Sequence, residues 1–192
     1  GNMSGLLIAE YILSQKKEKG ILPENAVLVK TIVSSNLAEA IAKEYGIHVI
    51  EVLTGFKYIG EQIKLLEQTH EYTYQFGYEE SYGCLIGTYA RDKDAISAVA
   101  MLCEAAAYYK AQGLTLWDQM LRIYEKYGYY KEGLFSITLK GADGAEKIKQ
   151  MMENLRNSKI EKIGENAVIA KKDYQTQEGM CYKTGDKIEI TL

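Results

Sequence analysis

Residues 26–53 read AVLVKTIVSSNLAEAIAKEYGIHVIEVL, and this stretch decides the fold. Residues 26–33 are mostly apolar and β-branched, which predicts a buried strand. After a polar turn, a helical segment runs to Tyr45, and Gly46 is expected to end it. Residues 47–53 form a second apolar run and predict a second strand. Strand, helix and strand joined by short connections indicate a parallel or mixed sheet that is covered by helices.

The same alternation extends outward in both directions. The chain begins with a predicted helix that ends near Gly20 and carries four apolar residues on one face, namely Leu6, Leu7, Tyr11 and Ile12. Downstream, the sequence predicts a helix to about residue 68, strands at 72–76 and 84–88, and helices over 95–112 and 115–127. The helix over 95–112 is apolar on more than one side, so we expect it to be the best-buried helix. Residues 1–132 are therefore predicted to form an α/β domain with a mixed, mostly parallel sheet covered by helices on both faces.

Residues 133–192 follow a different pattern. Apolar residues at 135, 137 and 139 alternate with polar ones and predict a half-exposed strand. Asp143 and Glu146 suit the first turn of a helix through Leu155, and short strands are predicted at 168–170 and 188–192. We interpret residues 133–192 as a linker followed by an incomplete α+β segment, the start of a second domain of a longer protein.

The turn between the first strand and the second helix has two possible uses. Asn36 and Glu39 have the spacing of a capping box. A strand-to-helix turn can bind an anion through its free backbone N–H groups. The same pattern is typical of a helix that is simply well capped, so both interpretations stay open.

Composition excludes several classes of protein. The chain has 192 residues, a net charge of −3 and no basic cluster, which argues against nucleic acid as the main partner. It contains no apolar run of the roughly 18 residues that a membrane span requires. The three cysteines lack paired spacing and are expected to be reduced thiols in a cytoplasmic protein. His48 and His70 lie far apart, so no metal site is predicted in this chain.

The segment Gly77-Tyr78-Glu79-Glu80-Ser81-Tyr82-Gly83 is the first candidate for a binding site. If the loop is extended, Glu79 and Ser81 share a face because residues two apart point the same way. A carboxylate beside a hydroxyl suits the edge of a sugar ring, since carboxylate-to-hydroxyl hydrogen bonds are short and strong. A solvated surface turn between two strands has the same composition.

A second candidate lies after the strand at 47–53. Thr54 and Gly55 occupy the position beyond the carboxyl end of a strand, where ligand-binding loops of such sheets lie. Lys57, in the next helical turn, can meet an anion, and we include it among the substrate-binding residues. A turn glycine followed by a surface lysine is the alternative.

Several segments together resemble the third domain of the phosphoglucomutase/phosphomannomutase (α-D-phosphohexomutase) family: GNMSGLLIAEYIL, VLVKTIVSSNLAEAIAKEYG, TGFKYIGEQI, GYEESYG and ARDKDAISAVAMLCEAAAYYKAQG. The resemblance covers residues 1–132 continuously, and the remainder resembles the linker and opening elements of that family's fourth, phosphate-binding domain. The occurrence of three motifs in this order is specific for the family: TGFKYIG, GYEESYG and ARDKD. Any one of them alone is weak evidence for the resemblance.

The resemblance implies an activity and a set of residue roles. Family members interconvert hexose 1- and 6-phosphates through a phosphoserine, a magnesium ion and a hexose 1,6-bisphosphate activator. Sugar hydroxyls would be held by Glu79 and Ser81, and Thr54 and Gly55 would line the sugar site. Lys93 would be the catalytic cation near the reacting phosphoryl group, with Arg91 beside it as a substrate-binding residue.

Three motifs of the family have no match in this sequence. These are the T-A-S-H-N-like nucleophile loop, the D-G-D-x-D-R-like magnesium loop and the R-x-S-G-T phosphate clamp, which would lie beyond Leu192. We therefore expect a sugar-recognition fragment that is inactive alone and binds neither magnesium nor the bisphosphate by itself. Its expected partners are a hexose phosphate and the remaining domains of the same polypeptide.

Two other functions are compatible with part of this evidence. A stand-alone, non-catalytic module that binds carbohydrate phosphates needs only the two candidate binding segments, at residues 54–55 and 77–83. A flavodoxin-like nucleotide binder is disfavoured because the sequence has neither a G-x-G-x-x-G motif nor a P-loop. The E-E-S form of the sugar loop resembles glucose-type family members, and mannose stays open as the hexose.

Overall fold

The computed structural model describes residues 1–133, 137–174, 178–181 and 188–191, and the side chains of the first two ranges. The chain divides into two compact units, Gly1–Glu132 and Gly133–Leu192. The sheet of the first unit has strands β1 (Ala26–Thr31), β2 (His48–Val52), β3 (Thr73–Tyr78) and β4 (Cys84–Ile86). Their order is β2-β1-β3-β4; β1, β2 and β3 are parallel, and β4 is antiparallel to β3. The predicted mixed, mostly parallel sheet is confirmed.

Five helices surround this sheet: α1 (Asn2–Glu18), α2 (Leu37–Tyr45), α3 (Phe56–Thr69), α4 (Ala95–Ala111) and α5 (Leu116–Tyr127). Strand β1 explains their placement, because all six of its residues are buried and alternate residues point to opposite faces. Ala26 and Leu28 pack into the core that α1, α2 and α5 share. Val27 and Val29 pack into the core on the α3 side. Both faces of the sheet are therefore covered by helices, as predicted.

Helix α4 does not have the burial that its composition predicts. Only Ala105 and Tyr109 of α4 are buried, whereas nine residues of α1 are. Ile96 and Val99 lie on the outer side of α4 with 83% and 62% of their surface exposed. The prediction that α4 is the best-buried helix was wrong, because apolar residues on its outer side are exposed to solvent.

The predicted capping box at α2 is also wrong. Asn36 precedes the helix, but its side chain forms no capping hydrogen bond. Instead, its Oδ1 accepts a hydrogen bond from the amine of Lys30 at 3.0 Å, and Glu39 forms an ion pair with the same amine at 3.5 Å. Ser35 Oγ accepts from the backbone N–H of Leu37 at 3.2 Å and takes over the capping. Lys30 is fully buried, so its need for partners outweighs the local pattern.

The second unit contains α6 (Gly141–Asn157), β5 (Lys162–Ile163), β6 (Asn166–Asp173), β7 (Glu178–Cys181) and β8 (Ile188–Thr191). Strand β6 pairs antiparallel with β5 and β7 and parallel with β8. The strand predicted around 135–139 lies partly outside the described residues, and Ile137–Leu139 have no strand structure. In the described part of the chain, no helix is long and apolar enough to cross a membrane.

Candidate functional site

The segment between β3 and β4 is a tight turn rather than an extended loop. The N–H of Glu79 donates to the carbonyl of Gly83 at 2.8 Å, and Tyr82 has a φ of 70°, in the left-handed region. The expectation that Glu79 and Ser81 share a face rested on extended geometry, which the turn does not have. Glu79 is buried, whereas Ser81 is exposed and donates its hydroxyl hydrogen to Glu80 Oε1 at 3.2 Å.

Glu79 connects the two loops that the sequence marks as candidates. Its Oε1 accepts a hydrogen bond from the backbone N–H of Gly55 at 3.0 Å, 24 residues away in sequence. Gly55 is the N-cap of α3 and has a φ of 126°, which a residue with a side chain rarely adopts. The positive end of the α3 dipole favours the carboxylate there. Thr54 is exposed on the same turn.

Lys93 lies against the same part of the molecule. A Cβ on Gly83 would lie 2.7 Å from Glu79 Oε2 and 3.2 Å from Lys93 Cδ, so the absence of a side chain at Gly83 makes room for both. The Lys93 amine is 5.8 Å from the centre of the Phe56 ring and 3.2 Å from Asp92 Oδ1. More than half of the Lys93 side chain is exposed, so its charge is open to a ligand from solvent.

Three contacts hold the segment that carries Lys93. The N–H of Asp94 donates to the carbonyl of Cys84 at 2.8 Å, and Asp94 Oδ1 caps α4 by accepting from the N–H of Ile96 at 2.9 Å. A Cβ on Gly60 of α3 would come 2.2 Å from the carbonyl oxygen of Arg91, so the segment packs on α3 where that helix has no side chain. Strand β4 and helix α3 thus position Lys93 from two sides.

Arg91 and Lys57 have partners outside the turn between β3 and β4. The Arg91 guanidinium forms an ion pair with Glu67 of α3 and donates to the carbonyls of Thr88 and Ala90 at 2.6 and 3.0 Å. The Lys57 amine lies 4.8 Å from the centre of the Tyr58 ring. The structure therefore brings Glu79, Gly55 and Lys93 together, while Arg91 is held by α3 and its own loop.

Sequence reasoning missed a hydroxyl pair beneath the turn between β3 and β4. Thr31, fully buried at the end of β1, donates its hydroxyl hydrogen to Glu80 Oε2 at 3.0 Å. The oxygens of Thr31 and Ser34 are 2.8 Å apart. Polar residues at the carboxyl end of an otherwise apolar central strand were the available signal, since parallel strands end at one edge of the sheet.

The turn before α2 shows no free binding surface for an anion among its described contacts. The N–H of Ser35 donates to Asn2 Oδ1 at 3.1 Å, and the N–H of Leu37 donates to Ser35 Oγ. The Lys30 amine beneath the turn forms an ion pair with Glu51 at 2.6 Å. Of the two interpretations of this turn, these contacts favour the structural one, with Ser35 rather than Asn36 accepting from the first turn of α2.

Neither thiol chemistry nor metal binding is evident at the site. Burial raises the pKa of the Cys84 thiol to about 11, so this cysteine stays protonated near neutral pH. Among the described residues, no group of three or more His, Cys, Asp or Glu side chains is arranged to hold a metal ion. The described residues therefore do not fit a magnesium site.

Comparison with known proteins identifies the family. The family model of the phosphoglucomutase/phosphomannomutase alpha/beta/alpha domain III matches residues 1–127. The chain belongs to the phosphoglucomutase/phosphomannomutase family. It is 36% identical over 192 residues to a phosphoglucomutase of Staphylococcus epidermidis, covering all of this chain and 34% of that protein. A phosphoglucomutase of Staphylococcus aureus is 35% identical over 178 residues, or 93% of this chain and 31% of that protein.

The chain thus spans about a third of the length of these phosphoglucomutases. Two solved structures of the family are more distant. A putative phosphomannomutase of Thermus thermophilus is 22% identical with a TM-score of 0.48, over 64% of this chain and 25% of that chain. The Paramecium phosphoprotein pp63/parafusin, a phosphoglucomutase in an open form, is 21% identical with a TM-score of 0.49, over 67% and 21%.

Proposed function

We propose that this chain is the sugar-binding part of a longer phosphohexomutase, which interconverts hexose 1-phosphate and hexose 6-phosphate with glucose as the hexose. The reaction would proceed by phosphoryl transfer through a phosphoserine and a hexose 1,6-bisphosphate. The phosphoserine, and most of the residues that bind the bisphosphate, would belong to parts of the protein outside this chain. The names and the greater length of the staphylococcal relatives favour this over a stand-alone binding module.

The observation that carries the proposal is the hydrogen bond from Gly55 to Glu79. It draws together two loops that both lie at the carboxyl edge of the sheet, where ligands of such folds bind. With Oε1 fixed by Gly55, Oε2 is the oxygen that accepts a hydrogen bond from a sugar hydroxyl. Thr54, next to Gly55 in the chain, and Ser81, two residues after Glu79, carry exposed hydroxyls that would contact the sugar from the solvent side.

Lys93 supplies the positive charge that a phosphorylated sugar requires. Its amine is held near the sugar loop by packing against Gly83 and Phe56, and it offers its charge to the phosphoryl group that is gained or lost. Arg91 and Lys57 have supporting places, Arg91 by fixing the loop before α4 and Lys57 as a cation on the first turn of α3. A magnesium ion, if the longer enzyme uses one, takes its ligands from outside the described residues.

The test is turnover of a panel of hexose 1-phosphates by the full-length protein in a coupled assay. Glucose 1-phosphate should be converted faster than mannose 1-phosphate, and the isolated 192-residue chain should read background. A full-length protein that folds and binds hexose phosphates but converts none of them would overturn the mutase assignment. Clear turnover by the isolated chain would overturn its description as a part of the enzyme.

A further inference from the structure

Glu80 lies in the turn between β3 and β4 and contacts the end of strand β1. Its Oε2 accepts from the Thr31 hydroxyl at 3.0 Å, and its Oε1 accepts from the Ser81 hydroxyl at 3.2 Å. Thr31 is fully buried and Ser81 is exposed, so one carboxylate links the rigid interior to the tip of a surface turn.

The carboxylate of Glu80 determines which hydroxyl donates in each hydrogen bond of this network. An ionised carboxylate only accepts hydrogen bonds, so the hydroxyls of Thr31 and Ser81 must both donate to it. The Thr31 hydrogen is then committed, and Ser34, whose oxygen is 2.8 Å from that of Thr31, must donate to Thr31. The hydroxyls of Ser34 and Thr31 thus form a chain that ends on Oε2, while Ser81 donates to Oε1.

We propose that Glu80 is a positioning residue that makes Ser81 Oγ a hydrogen-bond acceptor toward the ligand. With its hydrogen held by Glu80, Ser81 presents its remaining lone pairs to solvent, and it selects a ligand hydroxyl that donates at this point. The inference rests on the proposed function in taking Ser81 as a contact of the sugar. It assigns Glu80 an effect that passes through Ser81, distinct from that of Glu79, which is bonded to Gly55.

The experiment is a double-mutant cycle in the full-length protein, with kcat and KM measured for glucose 1-phosphate. Glu80→Met and Ser81→Ala should each lower kcat/KM about fivefold, the value of one neutral hydrogen bond. Because Glu80 acts through Ser81, the double variant should be no worse than Ser81→Ala alone. Glu61→Gln, an exposed carboxylate on α3, is the matched control and should behave as wild type.

Two further variants separate positioning from simple loss of structure. Thr31→Val keeps the shape of the buried side chain but removes one of the two donors to Glu80, so its effect should be smaller than that of Glu80→Met. Glu80→Gln retains one oxygen that can accept from Ser81 and should recover part of the loss. If Glu80→Met fails to fold in a thermal melt, the same cycle is run with Glu80→Gln.

Failure of the proposal for Glu80 can be distinguished from failure of the proposed mutase function. An active wild-type enzyme in which the losses at Glu80 and Ser81 multiply would overturn the proposal, since Glu80 would then act independently of Ser81. Near-normal turnover of Glu80→Met would overturn it as well.

Deoxyfluoro analogues of glucose 1-phosphate add a direct check, because fluorine cannot donate a hydrogen bond. Fluorine at one ring position should weaken binding of the analogue to the wild type and weaken it little in Ser81→Ala. An inactive wild-type protein would instead contradict the mutase assignment.

Discussion

At the scale of single residues, Glu79 has the most specific placement. Glu79→Gln keeps the shape and one oxygen for the N–H of Gly55 but removes the charge. A hydrogen bond to a charged group contributes about 1.5–3 kcal/mol, so we expect kcat/KM of the full-length enzyme to fall at least about tenfold. Ser81→Ala should lower kcat/KM by a smaller, several-fold factor. Steady-state assays beside Glu61→Gln check this, and a larger loss for Glu80→Gln than for Glu79→Gln would contradict it.

Lys93 is the second residue whose role can be tested alone. Because its side chain is more than half exposed, Lys93→Met should leave the melting temperature nearly unchanged. Turnover should fall at least as much as for Glu79→Gln, since the cation would stabilise the transferring phosphoryl group. Arg91→Met should have a smaller effect, because the guanidinium is bonded to Glu67. Lys64→Met on α3 is the control, and near-normal turnover of Lys93→Met would reduce Lys93 to a surface charge.

At the scale of elements, burial separates two isoleucines that the sequence does not distinguish. Ile63 of α3 is fully buried, whereas Ile96 of α4 has 83% of its surface exposed. Ile63→Ala should lower the free energy of unfolding by about 2–5 kcal/mol. Ile96→Ala should change it by no more than about 0.5 kcal/mol. Urea unfolding of both variants measures the contrast, and similar losses would show that the outer side of α4 contributes to stability.

Helices α1, α2 and α5 meet at a buried carboxylate. Glu10 accepts hydrogen bonds from the hydroxyls of Tyr45 at 2.9 Å and Tyr127 at 3.0 Å. Burial nevertheless raises the pKa of Glu10 above its ordinary value of 4.5, because these bonds and the nearby Lys126 offset the desolvation only in part. The folded state therefore holds this proton more tightly than the unfolded chain, and the free energy of unfolding must fall as the pH rises through the interval between the two pKa values.

Glu10→Gln removes that titration while keeping the shape of the side chain. We expect its free energy of unfolding to decline less than that of wild type as the pH rises from about 4.5 towards neutrality. Urea unfolding at a series of pH values measures the two slopes. The exposed carboxylate variant Glu24→Gln serves as control and should keep the wild-type slope. Equal slopes for Glu10→Gln and wild type would show that Glu10 does not titrate differently on folding.

The elements also show what the sequence could and could not predict. Strand β1 and the start of α5 near residue 115 follow from local patterns, and the structure confirms both and adds a Thr115–Asp118 capping box. The cap of α2 could not be predicted locally, because the partner that captures Asn36 is the buried amine of Lys30. The tight turn between β3 and β4 could not be predicted locally either, since the pairing of β4 with β3 forces the chain to reverse within a few residues. Contacts between distant segments decide such details.

At the level of the whole chain, helix α1 of the first unit and helix α6 of the second unit differ in how many residues they bury. Helix α1 of the first unit buries nine residues, whereas Gly144 is the one buried residue of α6 in the second unit. Amide exchange in the native state follows local opening, which costs less where few apolar groups are buried. We therefore expect the amides of α6 to exchange through openings of lower free energy than those of α1. Hydrogen–deuterium exchange with mass spectrometry measures both helices in one sample, which fixes pH and temperature for the comparison. Equal protection of α6 and α1 would contradict the expectation that α6 opens more easily than α1.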